Sequence, residues 1–223
     1  MKKWNTLASA KTPDGSTLAL VEHDGEYLLR VDGRELMSTA RHASELRLGT
    51  LGAEVIARRP KARALIGGLG LGFTLRGLLA GARPDAAITV AELMPEVVAW
   101  NREPTWPLAH TELADARVEV ALGDVFEVLA RGRYDAILLD ADNGTTAMMT
   151  RGNQALYQRR GIERVRAALN DGGVVIYWSA ERDRPFAAAL EKAGFVVRTE
   201  GVRAYGTGGP YHTLIIAKKA KSA

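Results

Sequence analysis

The sequence predicts an α/β fold: a mostly parallel seven-stranded sheet with helices on both faces, preceded by a small N-terminal β-meander. Three observations predict it. From residue 63 onward short apolar runs alternate with helical patterns, the order expected when each strand returns through a helix. The run Ala64-Leu-Ile-Gly-Gly-Leu-Gly-Leu-Gly-Phe-Thr-Leu-Arg76 passes from an apolar strand through glycines at 68, 70 and 72 into a helical period. The stretch from about 16 to 37 alternates as strands do, with Asp-Gly at two junctions, a hairpin signal.

In order, the meander strands fall at 17–22, 26–31 and 34–37, joined through His23-Asp-Gly25 and Asp32-Gly33. Residues 40–57 carry apolar positions Leu46, Leu48, Leu51, Val55 and Ile56, a broken helical period that leads into the main domain. Strands are then expected near 63–67, 87–92, 117–121, 134–139, 173–179, 195–200 and 212–217. Helices are expected near 73–81, 95–102, 124–131, 154–169 and 183–193. The last two strands join through 201–210, a connection suited to an antiparallel final strand. The division reads as residues 1–45 for the meander and lead-in and 46–223 for a nucleoside-binding domain. With its glycine turn between first strand and first helix, that domain is Rossmann-like.

At 223 residues, 47% hydrophobic and 25% charged, the chain can bury a core large enough to fold unaided. It has no cysteine, which excludes disulfides, thiolate metal sites and cysteine nucleophiles. No apolar run approaches membrane-spanning length and Met1-Lys-Lys-Trp-Asn5 lacks a secretory h-region, so the expectation is a cytoplasmic protein with no membrane partner. The net charge of +4 is dispersed apart from 58–63 and 218–222, with no aromatic residues interleaved as stacking platforms. No nucleic-acid partner is therefore expected. His23, His42, His110 and His212 are scattered without metal-ligand spacing, and no metal is expected.

Chemistry concentrates at four strand ends. Gly68, Gly70 and Gly72 supply a tight turn and a close backbone approach to a ligand over a helix N-terminus. No register gives G-x-G-x-x-G, because Phe73 and Leu75 occupy the candidate third places. The G-x-G-x-G turn resembles instead the loop of class I S-adenosylmethionine-binding folds. Glu92, about 20 residues beyond, ends the next strand where a carboxylate accepts ribose hydroxyls. Asp124 follows the third strand, placed to accept from an adenine amino group, and Asp140 ends the fourth. All stand along the sheet edge where open α/β folds bind ligands.

With these in place, the chain resembles the spermidine synthase (polyamine aminopropyltransferase) family along most of its length. The likeness rests on the Asp-Gly meander, Thr74-Leu-Arg76, Glu92 with Pro95-Glu-Val-Val98, and Gly123-Asp124. It continues through Tyr134-Asp-Ala-Ile-Leu-Leu-Asp140, Leu156-Tyr157, Gly172-Gly-Val-Val175 and Gly209-Pro-Tyr-His-Thr-Leu-Ile-Ile216. The resemblance implies a donor that is S-adenosylmethionine or its decarboxylated form, a small amine or polar acceptor, and a homodimer. Three positions depart from the family. Gapless matching puts Leu71 where the family has an aspartate that holds the donor amine. The catalytic segment reads Asp140-Ala-Asp-Asn-Gly144, so its second aspartate falls on Asn143 with Asp142 one place early. Ala43-Ser-Glu45 stands where the family has tyrosine-histidine-glutamate.

Transfer from a sulfonium donor is an in-line displacement on an activated carbon, so the protein mainly orients its partners and supplies a base. Asp140 is the candidate base, or the group that holds an ammonium. Asp142, Asn143 and Tyr157 are candidate acceptor contacts, with Trp178 as a further wall and 143–153 as a lid. The expected activity is methyl or aminopropyl transfer. A nucleoside-binding module without catalysis would carry the same Glu92 and Asp124. A third reading, a nucleic-acid methyltransferase, is suggested only by the charge, and the chain lacks the Asn/Asp-Pro-Pro-aromatic motif for a flipped base.

Overall fold

The computed structural model describes residues 4–140 and 157–220. Four antiparallel strands, β1 (Asn5–Lys11), β2 (Thr17–His23), β3 (Glu26–Val31) and β4 (Arg34–Ser38), form the N-terminal sheet in sequence order. Both Asp-Gly pairs are two-residue turns between pairs His23↔Glu26 and Val31↔Arg34, and all four turn residues have positive φ. That backbone matches the twist of the flanking strands. Strand β1 has no counterpart in the sequence reading. Its Asn5-Thr-Leu-Ala-Ser-Ala-Lys11 is poor in strand formers, lies at the sheet edge, and shifts register between Thr6 and Ala8.

The large sheet runs β10-β11-β9-β8-β5-β6-β7, built from β5 (Arg63–Gly67), β6 (Ala87–Glu92), β7 (Val118–Leu122), β8 (Tyr134–Leu139), β9 (Leu169–Ser179), β10 (Phe195–Arg203) and β11 (Tyr211–Lys219). Only β11 opposes the other six, so the final strand is antiparallel as its long connection requires. The order reverses at β5, which pairs with β6 on one side and β8 on the other. Strand β9 begins four residues earlier than the sequence indicates and shifts register against β8, with Gly172 and Gly173 in its first half. Glycine in a strand marks such irregularity and hides it from a propensity reading.

Helices α1 (Ala43–Ile56), α2 (Phe73–Leu79), α3 (Pro95–Arg102), α4 (His110–Leu113), α5 (Val125–Leu129), α6 (Arg159–Ala168) and α7 (Arg184–Lys192) complete the described residues. The sheet's period of two divides its side chains between two cores. Ala64, Ile66, Ala136, Leu138, Val174 and Ile176 join α1, α2, α3 and the meander. Leu65, Ile137, Leu139, Val175 and Tyr177 face α5, α6 and α7. Among the described residues no helix is long and apolar enough to cross a membrane.

Helix α1 packs on α2 and β8, and its first turn straddles the 45/46 division. The helices approach until a Cβ on Gly49 would lie 2.1 Å from the Thr74 carbonyl oxygen, and one on Gly77 would lie 2.3 Å from that of Leu46. Any side chain at either position forces the helices apart. This contact sets the start of α1 beside the start of α2, and so fixes one wall of the site described below.

At the opposite end of the sheet, Asp135 ties three strands together. It accepts from the Arg63 backbone N–H at 2.9 Å, from Arg59 Nη1 at 2.7 Å and from Asn170 Nδ2 at 3.0 Å. Burial alone raises this carboxyl, but these donors more than offset it and hold Asp135 below the ordinary value. A depressed carboxyl contributes stability above its unfolded pKa, near 3.9, and loses it as pH falls through the folded value. Asp135→Asn is therefore expected to cost about 1–3 kcal/mol at pH 7, a deficit that shrinks on acidification. Urea unfolding at pH 7 and pH 3 measures it, and equal deficits at both would contradict the assignment.

Candidate active site

The glycine turn leaves β5 and enters α2 with Gly68, Gly70 and Gly72 at φ of 97°, 52° and 83°. Gly72 is the N-cap of α2 in the left-handed region, and a Cβ there would come 2.3 Å from that of Ala109. A buried side chain missed by the sequence reading holds the turn. Asn101 donates from Nδ2 to the Gly70 carbonyl at 2.8 Å and accepts from the Ala109 N–H at 3.2 Å. It lies in α3 without a motif of its own, and only the fold brings it there.

Glu92 is buried at the end of β6. Its Oε2 accepts from the Leu69 N–H and its Oε1 from the Met94 N–H, both at 2.9 Å. Burial raises its carboxyl above the ordinary value, against the lowering effect of backbone N–H groups from Met94, Leu69, Leu93 and Gly70. Glu92 thus braces the glycine turn from below while lining the cleft beside it. Beyond the hydrogen bonds from Leu69 and Met94, a carboxylate retains acceptor capacity for a ligand in the cleft. Asp124 caps α5, with Oδ1 accepting from the Phe126 N–H at 2.7 Å.

These residues line one cleft of about 860 Å³, counting its open mouth. Gly67, Gly68 and Gly70 form its floor, Glu92 and Asp124 its polar groups, and Met94, Val97 and Val125 apolar walls. The meander roofs it with Thr12, Pro13, Leu29, Leu36 and Met37. Met37 sits against the turn itself, its Sδ 3.2 Å from the Leu71 N–H. A mixed cleft of this size at the reversal of strand order is where an open α/β sheet holds a nucleoside.

Asp140 stands on the wall between this cleft and a second cavity of about 730 Å³. Its backbone N–H donates to the Gly67 carbonyl, and its Oδ2 accepts from the Thr74 hydroxyl at 3.0 Å. The second cavity is lined by Glu35, Leu36, Met37, Ser38, Arg41, Glu45, Asp140, Trp178, Ala204, Pro210 and His212. Arg41 pairs with Glu35. Glu45 is buried, and burial raises its carboxyl above the ordinary value against the hydrogen bond from Ser44.

The structure thus brings Gly68, Gly70, Glu92, Asp124 and Asp140 to one cleft, with Gly72 beside it as the cap of α2, and sets Trp178 in the second cavity. Tyr157 is elsewhere: its ring packs against Phe186 at 5.0 Å and Tyr177 at 5.7 Å, on the other face of the sheet, and it is not among the described residues lining either cavity. An aromatic residue beside two others gains more from mutual packing than from a wet wall. Asp142, Asn143 and the 143–153 stretch lie outside the described residues. Leu71 is fully buried within the core and does not line the cleft. Among the described residues no group of three or more acidic or histidine side chains is arranged for a metal.

A solved spermidine synthase in complex with the transition state analogue AdoDATO superposes with a TM-score of 0.72 over 98% of this chain and 73% of that one, at 16% identity. The spermidine synthase from Thermotoga maritima gives 0.73 over 98% and 74%, at 17% identity. The chain has the spermidine synthase fold. In sequence, a polyamine aminopropyltransferase of Corynebacterium efficiens is 36% identical over 122 residues, 52% of this chain and 22% of that protein. The chain therefore matches about a fifth of the length of that relative. No family model matches it. Within the spermidine synthase fold, the meander over the glycine turn and the cleft at the strand ends are the parts that position the candidate residues.

Glu92→Gln provides a direct test of the first cleft. The amide keeps one acceptor oxygen and must turn an NH₂ toward a backbone N–H, Leu69 or Met94, that a carboxylate satisfied. A hydrogen bond to a charged group contributes about 1.5–3 kcal/mol, so nucleoside affinity measured by calorimetry is expected to fall by roughly tenfold to a hundredfold. Unchanged affinity in a folded variant removes Glu92 from the site.

Proposed function

We propose that this chain is a transferase that moves the aminopropyl group of decarboxylated S-adenosylmethionine to a small amine. The observation that carries the reading is the position of Asp140, a carboxylate held by Thr74 on the wall shared by two cavities. One cavity has the chemistry of a nucleoside site. Glu92 would take the ribose hydroxyls with its remaining lone pairs, Asp124 the adenine amino group, and the apolar walls the flat base. The other has the chemistry of an amine site, because Asp140, Glu45 and Glu35 face it against Arg41 as its cation. That excess of acceptor oxygens favours a cationic guest.

The donor, when bound, supplies a sulfonium carbon already activated toward displacement. The chain's own residues have then to hold the nucleophile in line and exclude water, which accounts for much of the barrier reduction in such reactions. Asp140 orients the acceptor nitrogen toward the donor cleft and compensates its positive charge. The spermidine synthase fold and the aminopropyltransferase match support this choice over methyl transfer.

Calorimetry with S-adenosylmethionine, its decarboxylated form, methylthioadenosine and S-adenosylhomocysteine tests the reading. The decarboxylated donor and methylthioadenosine are expected to bind more tightly than the two carboxylated compounds. The reverse order moves the reading to methyl transfer. No binding by any of the four defeats it.

A further inference from the structure

We propose that His212 is the proton acceptor for the substrate amine, held in one tautomer by Ser44 and presenting Nε2 to the second cavity. The assignment rests on the transferase reading above and divides two tasks there: Asp140 holds the acceptor, His212 takes its proton. It follows from hydrogen-bond arithmetic around a single hydroxyl.

Ser44 lies in the first turn of α1, fully buried. Its Oγ lies 2.5 Å from Glu45 Oε2, 3.0 Å from Trp178 Nε1 and 2.8 Å from His212 Nδ1. A hydroxyl has one proton and two acceptor lone pairs, whereas an indole N–H only donates. With Glu45 ionised, the Ser44 proton goes to the carboxylate and one lone pair receives the Trp178 N–H. The remaining lone pair can only receive a proton from His212, so Nδ1 carries the hydrogen and Nε2 is bare. A protonated Glu45 reverses the chain: it donates to Ser44, Ser44 donates to Nδ1, and the imidazole proton moves to Nε2. Ionisation of Glu45 therefore sets the basic nitrogen of His212.

His212 is the second residue of β11 and lines the second cavity, with its ring edge-on to Trp178 at 4.7 Å. Among the described residues, its Nε2 has no hydrogen-bond partner. The charged groups around it are Glu45 through Ser44, Glu35 near the start of β4 with its partner Arg41 from the stretch after β4, and Asp140 following β8. Burial, and then the Arg41 charge, holds its pKa below the ordinary imidazole value, so it is neutral and able to accept at pH 7. When it does, the new imidazolium donates through Nδ1 to Ser44 and onward to Glu45, a polar chain that disperses the charge.

The step balances. The acceptor ammonium gives one proton to Nε2, and the freed nitrogen lone pair forms a bond to the aminopropyl carbon next to sulfur. The carbon–sulfur bond breaks with its electron pair going to sulfur, so the sulfonium becomes a neutral thioether. The secondary amine leaves as its ammonium form, and His212 returns its proton to solvent.

Two measurements test this. Nitrogen-15 NMR of histidine-labelled protein at pH 8, without ligands, is expected to show His212 with the proton on Nδ1 and to lose that fixed tautomer in Ser44→Ala. A proton on Nε2 in the wild type overturns the assignment. In the transfer assay with decarboxylated S-adenosylmethionine and 1,4-diaminobutane, His212→Gln is expected to lower kcat by roughly 10²–10⁴-fold and abolish the acid limb of the pH profile. Donor affinity by calorimetry should stay within a few-fold. An active wild type with an unaltered variant overturns the role of His212 alone, whereas an inactive wild type defeats the transferase reading and this assignment with it.

Discussion

Asp140→Asn is expected to lower transfer by roughly 10²–10⁴-fold while donor affinity stays within a few-fold of the wild type. The variant keeps the side-chain shape and an oxygen for the Thr74 hydroxyl, so the Thr74 contact that fixes this wall survives. Its backbone hydrogen bond to Gly67 does not involve the side chain. What disappears is the negative charge at the point where the first cleft and the second cavity meet. With Glu92 and Asp124 assigned to the nucleoside in the proposed function, the loss is expected to fall on kcat and on acceptor KM rather than on donor binding. Steady-state kinetics over a range of acceptor concentrations, paired with donor calorimetry, separates the two. A variant that retains most of its turnover removes Asp140 from the centre of the mechanism, and one that loses both donor binding and fold makes it a structural residue.

Leu71→Asp is expected to destabilise the fold severely. Matched by sequence alone, this position is where the family carries an aspartate, and the change would improve pairing with the donor amine. The structure reverses that expectation, because Leu71 is 1% exposed, packed within the core, and absent from the walls of the cleft. A carboxylate there loses its water with no cation to compensate it, in addition to the packing lost with the leucine. The expected cost is on the order of 4 kcal/mol, which for a chain of this length lowers the melting temperature by roughly 8–16 °C. Calorimetric unfolding checks it. A variant that melts with the wild type and prefers the decarboxylated donor would show that position 71 turns toward the ligand.

Most of the fold was legible because one physical rule, apolar burial at period 2 or 3.6, operates locally. The strands from β5 to β8 and helix α3 lie where the apolar runs place them, and Asp-Gly was sufficient for both meander turns. The rule fails where burial is weak or the backbone irregular. Strand β1 is a polar edge, α4 has four residues, and the start of β9 passes through two glycines. The first cleft was legible for a related reason: in a parallel sheet the ends of successive strands share an edge, so Gly68, Glu92, Asp124 and Asp140 could be collected without coordinates.

The second cavity was not legible, because its residues meet through long-range packing. Ser44 and His212 are 168 positions apart, and their contact depends on the close approach of α1 to α2 through Gly49 and Gly77 and on the insertion of β11 beside β9. Sequence signals existed at both ends. Ala43-Ser-Glu45 stands where the chain departs from the family and Tyr211-His-Thr213 falls in a stretch that resembles it, but neither indicates that one serine joins a carboxylate, an indole and an imidazole. Tyr157 shows the converse, an aromatic residue assigned to the site by its place in a motif and placed by the fold against Phe186 and Tyr177.

The most direct test of the account is the product of one incubation: purified protein with decarboxylated S-adenosylmethionine and 1,4-diaminobutane, analysed by mass spectrometry with time. The account predicts methylthioadenosine and an aminopropylated amine accumulating in equal amounts, and neither when the amine is omitted or when Asp140→Asn replaces the wild type. A donor that binds in the cleft yet is recovered unchanged beside the amine would contradict it and leave the chain a nucleoside-binding protein.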